Sequence, residues 1–160
     1  MSSIDKNLSE FTAPLPKLPG KRIAVVVSEW NTEVTSSLLQ GCVKTLEKGG
    51  ISQSDVVIVN VPGSFELILG SQKMAMKSDI DAVICLGCVI QGETRHFDFI
   101  CQGVADGIAQ VGLKFNKPVV FGVLTTNNQA QALERAGGVH GNKGSEAAYT
   151  ALRMIEEFDY

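Results

Sequence analysis

The chain reads as an α/β protein, a three-layer α/β/α sandwich around a four-stranded parallel sheet, and three observations predict this. Four short runs are apolar almost without interruption: RIAVVV from Arg22 to Val27, VVIVNV from Val56 to Val61, AVICL from Ala82 to Leu86 and VVFGVL from Val119 to Leu124. Such valine- and isoleucine-rich runs suit strands buried on both faces, as parallel strands are, whereas half-exposed strands alternate apolar with polar residues. Amphipathic helical patterns separate the runs, and strands alternating with helices of this length give right-handed crossovers that place helices on both sides of the sheet.

The elements follow in order. After the first strand, Val34, Leu38, Cys42 and Leu46 recur every fourth residue, with Asn31 or Thr32 as N-cap and Gly49-Gly50 as a glycine stop. A second helix is expected from near Ser64 to about Ser78, carrying Leu67, Ile68 and Met74 inward. A third places Phe97, Ile100, Cys101, Val104, Ile108 and Val111 at spacings of three and four, and stops before Asn116-Lys117-Pro118, where proline disfavours helix at the residue before it. Beyond the fourth strand come a short helix from about Gln129 to Ala136, a flexible glycine-rich turn, GGVHGNKG, and a last helix burying Ala148, Ala151, Leu152 and Ile155. The polar, proline-bearing residues 1–20 read as an arm on the surface or against a neighbour, and residues 21–160 as a single domain.

Composition narrows the function. At 160 residues, 44% of them hydrophobic and 19% charged, the chain can bury a full core without disulfides or metal, and no apolar run reaches the roughly 18 residues of a membrane span. No basic segment followed by an apolar stretch opens the sequence, so a cytoplasmic location is the expectation. Four cysteines, at 42, 85, 88 and 101, fall inside apolar patterns and fit free thiols in a reducing compartment. The net charge of −3 and the scattered lysines and arginines leave no basic stripe for a nucleic acid.

In an open parallel sheet, ligands bind past the carboxyl ends of the strands where strand order reverses. Strand one delivers Trp30 and Asn31 to that edge, strand two Ser64, Phe65 and Glu66, strand three Gly87 to His96, and strand four Thr125 to Asn128. Trp30 either stacks on a planar heterocycle or shields the rim of the core. Ser64 and Glu66 either cap a helix or stand beside free amides that hold a ligand. Glu93 and Thr94 sit where the start of a helix favours an anion. His96 follows in the first turn, where the dipole disfavours an imidazolium, so a neutral ring can take a proton and return it; the alternative is a capped surface histidine. Arg135 either grips a phosphate through two parallel hydrogen bonds or is solvated. Cys85 and Cys88 lie three apart on a strand and point to opposite faces, which excludes a redox pair there, and no partners stand at metal spacing from His96.

Taken together and in order, these fragments resemble the lumazine synthase family, the 6,7-dimethyl-8-ribityllumazine synthases of riboflavin biosynthesis. The resemblance runs from about residue 21 to the end and rests on Trp30-Asn31, Val61-Pro62-Gly63-Ser64-Phe65-Glu66, the segment Gly87 to His96, Phe121-Gly122-Val123-Leu124-Thr125, Arg135-Ala136-Gly137 and Gly141-Asn142-Lys143-Gly144. It implies a flavodoxin-like fold with strand order 2-1-3-4 and condensation of 5-amino-6-(D-ribitylamino)uracil with 3,4-dihydroxy-2-butanone 4-phosphate, without cofactor or metal. By resemblance Trp30, with Asn31 beside it, stacks on the pyrimidine; Ser64, Phe65 and Glu66 hold the ribityl chain; and Cys88, Val89 and Ile90 meet the uracil through their backbone. Glu93, Thr94 and Arg135, with Lys143, bind the phosphate, and His96 transfers protons. The resemblance further implies homopentamers whose sites lie between subunits, Phe121 and Arg135 coming from the neighbour. It also allows twelve pentamers joined in a shell and association with riboflavin synthase. Two residues depart from the usual pattern: Trp30 replaces a commoner phenylalanine, and Gln91 stands where a basic residue often occurs. A different class of function, a flavin-binding or shell-forming homologue without catalysis, would use the same Trp30 to stack an isoalloxazine.

Overall fold

In the computed structural model, which describes residues 7–158, β1 (Ile23–Ser28) is buried along its whole length. It lies between β2 (Val56–Val61) and β3 (Ala82–Ile90), and β4 (Val119–Thr126) flanks β3, giving the parallel order β2-β1-β3-β4. The expected sandwich and strand order are both present.

Residue parity along β1 sorts the core into two layers. Ile23, Val25 and Val27 face α1 (Thr32–Lys48) and α5 (Lys143–Phe158), meeting Leu38, Cys42, Leu46, Leu152 and Ile155. Ala24 and Val26 face α2 (Leu67–Ala75) and α3 (His96–Phe115), meeting Leu67, Met74, Val104 and Ile108. A strand with a period of two must feed both layers, so both parities are apolar; this is the physical reason that its sequence does not alternate.

Several boundaries differ from expectation. Residues 64–66 form a tight turn rather than helix, because the Leu67 and Ile68 amides donate three residues back, to the Ser64 and Phe65 carbonyls at 3.2 and 3.3 Å. β3 runs four residues past Leu86, since β4 continues alongside it and pairs Val89 with Thr125 and Ile90 with Thr126. Helix α3 starts only at His96, so Glu93 and Thr94 precede it. Helix α4 (Gln129–Glu134) ends before Arg135 and is capped by the Asn128 side chain, which accepts from the Gln131 amide at 2.9 Å.

The glycine-rich stretch is a two-stranded hairpin, β5 (Ala136–Gly138) with β6 (Gly141–Asn142), and not a flexible turn. Asn142 anchors it: its Nδ2 donates to the Ser37 carbonyl at 2.9 Å, and its Oδ1 accepts from the Gly144 and Ser145 amides at 2.8 and 3.1 Å. At Gly144 a Cβ would stand 1.9 Å from the Leu38 carbonyl oxygen, so glycine there lets α5 lie against the backbone of α1.

The arm packs against its own chain from residue 7 onward; its first six residues, and the last two of the chain, lie outside the described residues. Phe11 stacks on Tyr149 with ring centres 4.0 Å apart, the Tyr149 hydroxyl donates to the Ala13 carbonyl at 3.3 Å, and Ser9 accepts from the Asn142 amide at 2.7 Å. No helix among the described residues is long and apolar enough to cross a membrane.

Candidate active site

A cavity of about 540 Å³ opens past the carboxyl ends of β1, β2 and β3. It brings together Trp30, Asn31, Ser64, Phe65, Glu66, Cys88, Val89, Ile90 and His96, and adds Gly63 and Ile100, which the sequence had suggested only as turn and core residues.

The register of the sheet explains why the cavity lies there. β1 pairs with β3 only as far as Val27 opposite Leu86, so β3 continues from Gly87 to Ile90 without a strand on that side. The Gln91 amide donates to the Thr126 carbonyl at 2.8 Å on the β4 side, and alternation therefore turns Ile90 and Cys88 toward the open edge. One of the groups on that edge, the Cys88 carbonyl, accepts from Asn31 Nδ2 at 2.9 Å. Backbone donors and acceptors exposed along one line suit a flat ligand with its own amide and carbonyl groups.

Asn31 turns the chain sharply at the end of β1. Its backbone is left-handed, with φ of 61°, and its side chain bonds to Cys88 instead of capping α1. Asparagine tolerates this conformation better than most residues. The turn leaves Trp30 73% exposed beside the cavity, with its amide donating to the Pro62 carbonyl at 3.1 Å. In this chain Trp30 therefore does not shield the core, and its ring surface is free to stack.

Across the cavity, Phe65 is half exposed and its ring rests on α3 at Gly103, where a Cβ would approach within 3.2 Å. Ser64 does not cap α2: its hydroxyl is buried and forms no hydrogen bond among the described residues, as is also true of Ser28. Both hydroxyls face Gly87, where a Cβ would lie 2.8 Å from Ser64 Oγ and 3.4 Å from Ser28 Oγ. Glycine at 87 thus lets the Ser64 and Leu67 side chains pack directly against β3. The sequence places Ser28, Ser64 and Gly87 at the carboxyl ends of three strands, but nothing local in it says that the two hydroxyls are buried against the glycine.

His96 is exposed at the first position of α3, and its amide donates to Thr94 Oγ1 at 3.4 Å. Thr94 thereby takes one of the amides expected to be free for an anion. Glu93 is exposed in the same turn. The thiols offer no nucleophile: burial pushes Cys88 up to about 11, and Cys42 and Cys85 up to about 12, so all three remain protonated at neutral pH. Among the described residues no three His, Cys, Asp or Glu side chains gather as a metal site.

The remaining candidates lie elsewhere on the chain. Phe121 and Lys143 border a second cavity of about 380 Å³, between β4 and α5. Arg135 and Lys143 border a third of similar size with Thr125 and His140. One chain therefore carries an aromatic, strand-edge and histidine cluster and, apart from it, a cationic cluster.

Sequence comparison extends over nearly the whole chain. The profile of the family described as 6,7-dimethyl-8-ribityllumazine synthase matches residues 20–159. A 6,7-dimethyl-8-ribityllumazine synthase of Cytophaga hutchinsonii is 60% identical over 157 residues, covering 98% of this chain and 99% of that protein. Proteins of the same name from Parabacteroides distasonis and Flavobacterium johnsoniae are 46% and 48% identical, covering 97% and 96% of this chain and 98% and 82% of their own. With sheet order, strand-end cavity and near full-length identity in agreement, the chain belongs to the 6,7-dimethyl-8-ribityllumazine synthase family.

Proposed function

We propose that this chain condenses 5-amino-6-(D-ribitylamino)uracil with 3,4-dihydroxy-2-butanone 4-phosphate, releasing 6,7-dimethyl-8-ribityllumazine, phosphate and water. The observation that carries the reading is the cavity in which an exposed indole, an unpaired strand edge and a histidine meet. The uracil stacks on Trp30 and pairs with the outward backbone groups of Cys88 and Ile90, with Val89 between them, while its ribityl chain runs along the turn Ser64, Phe65 and Glu66. Asn31 fixes the edge on which the ring is read. Much of the acceleration comes from holding two reactive molecules in one place.

The amine condenses with the ketone to a Schiff base with loss of one water, phosphate leaves, and ring closure with loss of a second water completes the lumazine. His96 moves protons in these steps, and Arg135, with Lys143, Glu93 and Thr94, holds the phosphate as charge develops on it. Because Phe121, Arg135 and Lys143 lie away from the cavity of their own chain, the complete site joins the half-sites of two copies in a homopentamer. Assembly of pentamers into a shell, contact with riboflavin synthase and a cytoplasmic location extend the same reading.

Mixing the two substrates with the purified protein and following the fluorescence of the lumazine tests the activity, and absence of product at micromolar enzyme refutes it. Mass measurement in solution tests the assembly: a monomer that turns over at full rate would refute the shared site.

A further inference from the structure

Glu146, in the first turn of α5, holds the Arg135 guanidinium from one end. Arg135 Nη1 donates to Glu146 Oε1 at 2.8 Å and Nη2 to Oε2 at 2.9 Å, in the paired geometry that a guanidinium also offers to phosphate. Nη1 donates in addition to the His140 carbonyl. The Nε edge carries no hydrogen bond among the described residues, so one side of the fork remains for a second anion. Lys143 Nζ lies 3.3 Å from Glu146 Oε2, and the Ser9 hydroxyl donates to Oε1 at 3.3 Å. The Arg135 and Glu146 side chains are only 18% and 14% exposed, so solvent screens the carboxylate weakly.

We propose that Glu146 is a positioning residue that aims the Arg135 guanidinium and, by its negative charge, keeps the affinity of that site for phosphate low enough for phosphate to leave after each turnover. The proposal rests on the reading of Arg135 as a phosphate ligand. The reaction discards phosphate from the site that binds its phosphorylated substrate, so a clamp with two uncompensated cations would retain the product. A carboxylate on the far end of the fork opposes an incoming dianion without occupying its edge, and it also holds Lys143. Ser9 brings the arm into the same cluster.

The test compares inorganic phosphate as an inhibitor of the full-length protein and its variants, after mass in solution has shown that their assembly is unchanged. Glu146→Gln keeps shape and an acceptor oxygen but removes the charge; it should bind phosphate roughly 3- to 10-fold more tightly, with a lower kcat as product release slows. Glu146→Asp keeps the charge and should stay within about twofold of the parent inhibition constant, a rescue that a packing role would not produce. An unchanged or weaker phosphate affinity in Glu146→Gln, or equal tightening in Glu146→Asp, overturns the proposal. Arg135→Ala separates the two levels of argument: it should lose phosphate inhibition by tenfold or more. If instead it binds phosphate like the parent, the reading of Arg135 fails and the role of Glu146 with it.

Discussion

The Asn31 side chain and the Cys88 carbonyl, 57 residues apart in sequence, meet at 2.9 Å and join the end of β1 to the part of β3 that has outrun it. Asn31 makes this bond from a left-handed backbone. Asn31→Ala should therefore cost about 2 kcal/mol, about half from the lost hydrogen bond and half from the backbone conformation, whereas Asn31→Gly should cost only about 1 kcal/mol. Urea unfolding followed by the fluorescence of Trp30, the sole tryptophan, measures both. Equal losses would remove the backbone argument.

His96→Ala should slow turnover by about 10- to 1,000-fold, close to the range for one general acid–base group, and leave the unfolding midpoint within the scatter of surface substitutions. The residue is exposed and its imidazole supports no packing layer. Steady-state rates with both substrates saturating supply the check, and full activity would take His96 out of the mechanism.

Alkaline pH should destabilise the fold through its buried thiols. Cys42 and Cys85 rise from an ordinary value near 9 to about 12 on burial, so the folded chain keeps protons that the unfolded chain gives up. Their contribution to stability is complete below about pH 9 and is lost progressively as pH rises from there toward about 12. Denaturant midpoints measured across this window should fall, and less steeply in Cys42→Ala than in the parent. A parallel pair of curves would show that other groups govern the alkaline limb.

Ser28→Ala should stabilise the protein by roughly 1 kcal/mol, because the Ser28 hydroxyl is fully buried without a hydrogen-bond partner among the described residues and alanine removes the desolvated group. Gly87→Ala should act in the opposite direction, since its methyl would meet Ser64 Oγ at 2.8 Å and Leu67 Cδ1 at 2.9 Å. Thermal unfolding of the two variants side by side decides both; a destabilised Ser28→Ala would mean that the hydroxyl is bonded.

The parts of the fold that were legible in the sequence are those set by periodicity. The uninterrupted runs of β1 and β3 announced strands covered on both faces, and the heptad-like spacing of α3 announced the helix that covers one of them. Boundaries were less legible where a long-range partner decides them. Nothing local to Gly87–Ile90 says strand; β4, some 30 residues on, makes it one by running alongside. The glycines of Ala136–Asn142 signal a turn by themselves, whereas Asn142 reaches Ser37 and pins the segment as a hairpin. The candidate site divided in the same way: residues delivered by successive strand ends converged, while Arg135 and Phe121 stand apart from them. Glu146 was invisible because one acidic residue on an amphipathic helix resembles any other until the guanidinium opposite it is seen.

The covering of α1 by α5 carries a consequence for how the chain must be made. Leu38, Cys42 and Leu46 face a layer whose other wall, Ala148, Leu152 and Ile155, belongs to the final helix. During synthesis β1, β2 and β3 can already pair and α1 can lie on them, yet the part of that layer that Ala148, Leu152 and Ile155 cover stays wet until α5 emerges. Because strand pairing of this kind joins distant segments, it is slow, and the incomplete sheet is sticky while it waits. The apolar surface that α5 covers is therefore sealed only when this sixteen-residue helix docks, which makes α5 the latch of that layer.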